Sequence, residues 1–211
     1  MGPLYLYVAM DTLTWVWCLC VLSGVYPSFL PAELFIDYNT QSWGGWIAFT
    51  FVWGYMSGVN GLAGHELIHK HNAFDKYLGM STFTKMLYSH FLLEHSSGHH
   101  RNVATPDDSA TSFLGEDFYS FCIRSIVGGH KATWERETTR LRVKHDVQDV
   151  SLMTQLKENR LTWFTALHIS MCVTIFKIFG MRALYFHLVY AFVGVFFIEL
   201  INYTEHYGLM R

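Results

Sequence analysis

At 211 residues the chain is long enough for one domain and too short for two comfortable ones. Half of it is apolar and only 15% is charged, low for a soluble globular protein, while 17 Phe, 12 Tyr and 7 Trp suit a membrane interface. A net charge of −2 without a basic stripe or repeat argues against a nucleic-acid partner; four scattered cysteines (Cys18, Cys20, Cys122, Cys172) with no Cys-x-x-Cys argue against a zinc ribbon, a disulfide framework or a built-in iron–thiolate carrier.

A helix needs about 20 apolar residues to cross a hydrocarbon core of roughly 30 Å. In chain order, Thr12–Leu30 is the first such run, with Trp15 and Trp17 near one end and Pro27 and Pro31 near the other. No positive charge precedes it, so a cleaved signal peptide fits poorly. Trp43–Gly64 is the second run, uncharged throughout, and leads directly into His65-Glu66-Leu67-Ile68-His69-Lys70. Leu78–Leu93 is shorter and carries Lys85, which suits a broken or deeply buried helix as well as a span. Residues 101–160 are polar and hold 9 of the 15 Lys and Arg, which puts this segment on the cytoplasmic side. Leu161–Gly180 and Ala183–Ile201 close the series, separated by a Gly180/Arg182 break that reads as a tight hairpin.

Twelve histidines are the unusual number, because imidazole is the commonest transition-metal ligand. His65 and His69 stand four apart and share one helix face. Taken alone, His65-Glu66-x-x-His69 is the zinc-protease signature, with Glu66 activating water. Such a site needs one further protein ligand, and here the sequence supplies too much. Glu94-His95-Ser96-Ser97-Gly98-His99-His100 gathers three histidines in six residues, and Asn202-Tyr203-Thr204-Glu205-His206 ends the last apolar run. Each group ends a membrane segment, so all can converge on one side of the bilayer. Six imidazoles suit two metal ions, and iron performs oxygen chemistry that redox-silent zinc cannot. Glu66, Glu94 and Glu205 can each accept the free ring N–H of a ligating histidine, or be solvated acids.

The stretch His65-Glu66-Leu67-x-His69-Lys70, then Glu94-His95-x-x-Gly98-His99-His100-Arg101 with Val103-Ala104-Thr105-Pro106 and Asp108, then Asn202-Tyr203-x-Glu205-His206-Tyr207-Gly208-Leu209, resembles the membrane alkane 1-monooxygenases of the fatty-acid desaturase and hydroxylase superfamily. The resemblance covers roughly residues 60–211. It implies an all-α, multi-pass transmembrane fold, about four to five spans in one domain over 1–211, with a His-rich di-iron site at the cytoplasmic helix ends. It also implies O2-dependent hydroxylation of the terminal C–H of an alkane or fatty chain, with electrons from a separate rubredoxin or ferredoxin-type donor. The ligands carried over are His65, His69, His95, His99, His100 and His206; His90 matches a family position and could support them, or simply pack. Family members continue to a further box, Gln-Arg-His-Ser-Asp-His-His, which residues 1–211 do not contain, so the sequence is expected to be a fragment or a relative with an incomplete site.

Three other readings remain open: a desaturase or other hydroxylase of the superfamily, a membrane zinc protease, and a non-catalytic subunit that kept the fold. His168 and His187, in apolar runs, are expected to make helix–helix hydrogen bonds. His71, His130 and His145 are expected to be solvated. Phe51, Trp53 and Tyr55 could close the end of a substrate channel, or simply pack.

Overall fold

The computed structural model describes residues 2–25, 28, 31, 34 and 42–211, and every helix or strand among them is helical. The order is α1 (Gly2–Ser23), α2 (Trp43–Ile68), α3 (Ala73–Lys85), α4 (Phe91–Glu94), a π-turn (His95–His99), α5 (His100–Asn102), α6 (Phe118–His145), α7 (Leu152–Glu158) and α8 (Arg160–His206). Two of these, α1 and α8, are long and apolar enough to cross a membrane.

The contacts gather into two compact units: Met1–Leu87 with Ile169–Phe197, and Tyr88–His168 with Ile198–Arg211. Helix α8 runs through both and is broken at Gly180, whose φ of 81° only glycine adopts without strain. The break is a hairpin. Ser89 Oγ lies 2.8 Å from His168 Nε2 and Tyr88 O–H donates to Glu199 Oε1 at 2.9 Å. Neighbouring residues thus reach positions 31 apart on α8, which a continuous helix would separate by about 46 Å. The expected Gly180/Arg182 hairpin is present; His168 bonds Ser89 in the turn between α3 and α4, not another helix as expected.

In the first unit, Cys18, Leu19 and Leu22 of α1 pack with Ile175, Ala183, Phe186 and Tyr190 of α8, flanked by Trp15, Trp17, Phe49 and Trp53. Helix α1 corrects the expected run Thr12–Leu30: it starts ten residues earlier, and Gly24 in the left-handed region follows its last residue (Pro27 and Leu30 lie outside the described residues). The earlier start carries an acid into the apolar helix, and the fold neutralises it. Asp11, 3% exposed, pairs with Lys85 of α3 and accepts from Asn60 Nδ2 of α2 at 3.0 Å and from Tyr190 O–H of α8 at 3.3 Å. Trp15 Nε1–H donates to His187 Nδ1 at 3.2 Å, the helix–helix bond expected of that histidine.

Helix α2 covers the expected second run and continues through His65 to Ile68. It packs closely on α8: a methyl group at Gly58 would sit 2.7 Å from Phe197 Cβ. Small residues let membrane helices approach in this way. The run Leu78–Leu93 is broken, the alternative its lysine suggested. Helix α3 stops at Lys85, Leu87 takes a φ of 56°, and a new helix starts at Phe91.

In the second unit α6 is the long element. Asp117 caps its start by accepting from Tyr119 N–H and Ser120 N–H, and Asp146 ends it in the left-handed conformation. Its buried Glu137 binds Arg140 and Arg160, fastening α6 to the first turn of α8.

Candidate metal centre

The six predicted ligands fall into three pairs. In the first unit, His65 lies in the last turn of α2 and His69 caps it. Regular helical spacing stacks them on one face, half-buried and exposed, with their Nε2 atoms 3.0 Å apart.

In the second unit, His95 and His100 also bring their Nε2 atoms to 3.0 Å, although they are five residues apart. An α-helix would splay such a pair. The π-turn over His95–His99 widens the coil by one residue, and His100 N–H reaches back to His95 carbonyl. Gly98 sits inside this turn because the Arg136 guanidinium crosses it; a methyl group there would meet Arg136 Nη1 at 2.5 Å. His99, 4% exposed, stacks on His95 and lies on the other side against His206, Nε2 to Nε2 2.9 Å. His206 is held there by its neighbours. Ser112 Oγ–H donates to Tyr203 carbonyl at 2.8 Å, Gly208 N–H to Ser112 carbonyl at 3.0 Å, and Gly115 N–H to Tyr207 Oη at 2.9 Å.

Asp108 completes this cluster. Its Oδ2 accepts from His99 Nδ1–H at 2.9 Å and from Thr111 Oγ1–H at 2.6 Å, and its Oδ1 from Ala110 N–H at 3.1 Å. Burial alone would push this carboxyl up, but the bonds from His99 and Thr111 hold it below its ordinary value. Burial likewise opposes charge on His99, and the Asp108 contact overrides it, raising the imidazole pKa. The bond fixes the tautomer of neutral His99: Nδ1 carries the proton and the Nε2 lone pair faces His206.

The donor set fits a metal. Facing imidazole nitrogens about 3 Å apart need a proton or a cation between them.

The glutamates differ in placement. Glu66 is exposed and pairs with Lys70. Glu205 is exposed beside His206. Glu94 is 8% exposed, and burial pushes its carboxyl up to about 7. It lines a cavity of about 10 Å³ with His90, Tyr88, Ser125, Glu199 and Asn202, near the smallest space that admits a water. His90 itself packs edge-on against Tyr88 and His130. Two residues are not marked as functional by sequence pattern: Asp108, and Glu199, which is 1% exposed and bonded by Tyr88 and Asn202. A lone acid inside the apolar run Phe196-Phe197-Ile198-Glu199-Leu200 was itself the signal for the second.

A model of the fatty acid desaturase family matches residues 41–211. The chain is 32% identical over 186 residues to an alkane 1-monooxygenase of Pseudomonas putida, covering 88% of this chain and 45% of that protein. It is 37% identical over 159 residues to an alkane 1-monooxygenase of Acinetobacter baylyi, covering 74% and 38%. It is 33% identical over 181 residues to alkane 1-monooxygenase 1 of Pseudomonas aeruginosa, covering 85% and 46%. The chain thus spans a little under half the length of these curated relatives.

Proposed function

The chain belongs to the fatty acid desaturase family, and from that premise we propose that it bears metal-binding histidines of a membrane non-haem di-iron monooxygenase. The substrate would be an alkane or fatty chain hydroxylated at its terminal carbon with O2, with electrons from a separate rubredoxin or ferredoxin-type partner. The observation that carries this reading is the pairing of six imidazoles, His65 with His69, His95 with His100 and His99 with His206, each near 3 Å. The names of these three relatives, each an alkane 1-monooxygenase, support the reaction class. The zinc-protease reading gives no reason for four further histidines.

Bound iron would supply the activation of O2 that no side chain can provide. The protein's own contribution is orientation. Asp108 keeps a proton on His99 Nδ1 and leaves Nε2 as the donor atom, while the π-turn aims His95 and His100 at one point. Helix α1 and the two arms of α8 would cross the membrane, with α2 packed on α8. A methylene chain gains about 0.8 kcal/mol per buried CH2, which binds but barely measures length, so the blocked end of a channel must set chain length. Of the aromatics singled out on α2, Phe51 and Tyr55 line an open apolar groove with Phe192 and Phe196, whereas Trp53 packs inward on Trp17 and Phe49.

Iron and zinc quantified together on detergent-purified protein, followed by product analysis of an n-alkane under O2 with a reduced donor, test the proposal. Two irons per chain and a primary alcohol support it. One zinc per chain, or a double bond in the product, would replace it with the protease or the desaturase reading.

A further inference from the structure

Helix α6 leaves a largely apolar face uncovered, interrupted by exposed His130. Tyr119, Ile123, Val127 and Trp134 are 70%, 68%, 62% and 40% exposed, at intervals of four, four and seven residues. That spacing places them on one stripe of the helix, opposite the buried Phe121, Ser125 and Gly129. A stripe of four large apolar side chains on a solvated helix is costly and needs an occupant.

The connections of α6 say where the stripe lies. Near its start, Phe118 and Phe121 pack on Tyr203, at 5.6 and 5.3 Å between ring centroids, and Tyr203 ends the second arm of the α8 hairpin. Sixteen residues later, Glu137 Oε2 accepts from the backbone N–H of Arg160, at 3.1 Å, where the first arm begins. The helix therefore runs about 24 Å between its contacts with the two ends of α8. Trp163, 63% exposed, lies one turn into the first arm, a position favoured by interfacial tryptophan. Tyr119 and Trp134, at the two ends of the stripe, are of the same amphipathic kind, and exposed Lys131 borders it with a stem long enough to reach headgroups.

We propose that the Tyr119–Ile123–Val127–Trp134 face of α6 is a membrane-contact surface that lies in the boundary between phospholipid headgroups and acyl chains. The helix would sit in the membrane plane, with its apolar stripe about 5–10 Å deep, as amphipathic interfacial helices do. The inference rests on the reading of α8 as a membrane-crossing hairpin. Its consequence is that the polar loops around His95–Asp108, which pack on the other side of α6, are held at a fixed height above the bilayer.

Nitroxide labels at Ile123→Cys, Val127→Cys, Glu135→Cys and Phe176→Cys test it, in the whole protein reconstituted into phosphatidylcholine–phosphatidylglycerol vesicles. Unsubstituted protein gives the background from the native cysteines. Collisions with O2, which concentrates in acyl chains, are compared with those of a water-soluble nickel chelate. The expected result is a depth parameter that is positive at 123, 127 and 176 and negative at 135. A positive value at 176 with nickel-dominated collisions at 123 and 127 would place the stripe in water. Labels at 123 and 127 that are immobile and reached by neither reagent would mean that protein covers it. Either result overturns the proposal while leaving the hairpin reading intact; a negative value at 176 overturns both.

Discussion

The histidine pair at the end of α2 and the cluster around the π-turn present the same ligand atoms by opposite means. His65 and His69 need nothing but regular helix geometry, stand partly in solvent, and have as neighbour a Glu66 engaged with Lys70. His95, His99 and His100 need a distorted turn, a glycine under an arginine, and a buried Asp108 tied by Thr111 and Ala110. The first arrangement costs little and constrains little. The second fixes a tautomer and a direction, and pays by burying a carboxylate among imidazoles. The first pair is adaptable, and the second cluster is rigid.

That contrast breaks most sharply at the ligands. His65→Ala and His99→Ala are both expected to abolish hydroxylation and lower iron content, and retained activity in either would remove that residue from the ligand set. Folding stability should separate them. Removing His99 leaves Asp108 buried without its main donor, a cost of about 1–3 kcal/mol, while His65→Ala stays within about 0.5 kcal/mol. Denaturant midpoints of the two metal-free variants make the measurement.

The carboxylates come next. Asp108→Asn removes the charge that holds His99 in its tautomer and should cost about 10–100-fold in metal affinity or activity. Glu66→Gln breaks only a surface pair with Lys70 and should change either by less than about twofold. Equal losses in the two variants would show that Glu66 serves its neighbouring histidine after all.

The glycines distinguish a close backbone approach from a flexible one. At Gly79 an added methyl group would lie 2.5 Å from the carbonyl oxygen of Gly64, so α2 and α3 must separate; Gly79→Ala should cost about 1–3 kcal/mol. At Gly98 the obstacle is the mobile tip of Arg136, and Gly98→Ala should cost less, visible as the smaller drop in thermal midpoint.

The same contrast explains what could be seen from residues alone. Spacing four announces a shared helix face, so the α2 pair was legible, as were the apolar runs, the hairpin at Gly180 and the crowding of histidines at 95–100. Which of those three imidazoles pair depends on an extra backbone residue in the turn, and neither hydropathy nor spacing encodes that. Asp108 acts across nine residues of irregular chain, and no periodicity connects it to His99. The start of α1 was misplaced for a related reason: Asp11 looks like a boundary until Lys85, 74 residues away, neutralises it.

A pH-dependent effect concerns the fastening of α6 to α8. Glu137 is 3% exposed; burial opposes its charge, but Arg160 and Arg140 prevail and hold its carboxyl at about 2, against an ordinary value of 4.5. The folded state thus binds its proton more weakly than the unfolded state does. This contribution to stability is complete above about pH 4.5 and is lost as pH falls towards 2. Glu137→Gln lacks the charge at every pH. Its thermal midpoint should lie below that of the parent at pH 7, and the gap should narrow steadily between pH 5 and pH 2.5. A gap independent of pH would mean that Glu137 holds α8 through the shape of its hydrogen bonds and not through its charge, and α6 would then keep its grip on the hairpin in acid.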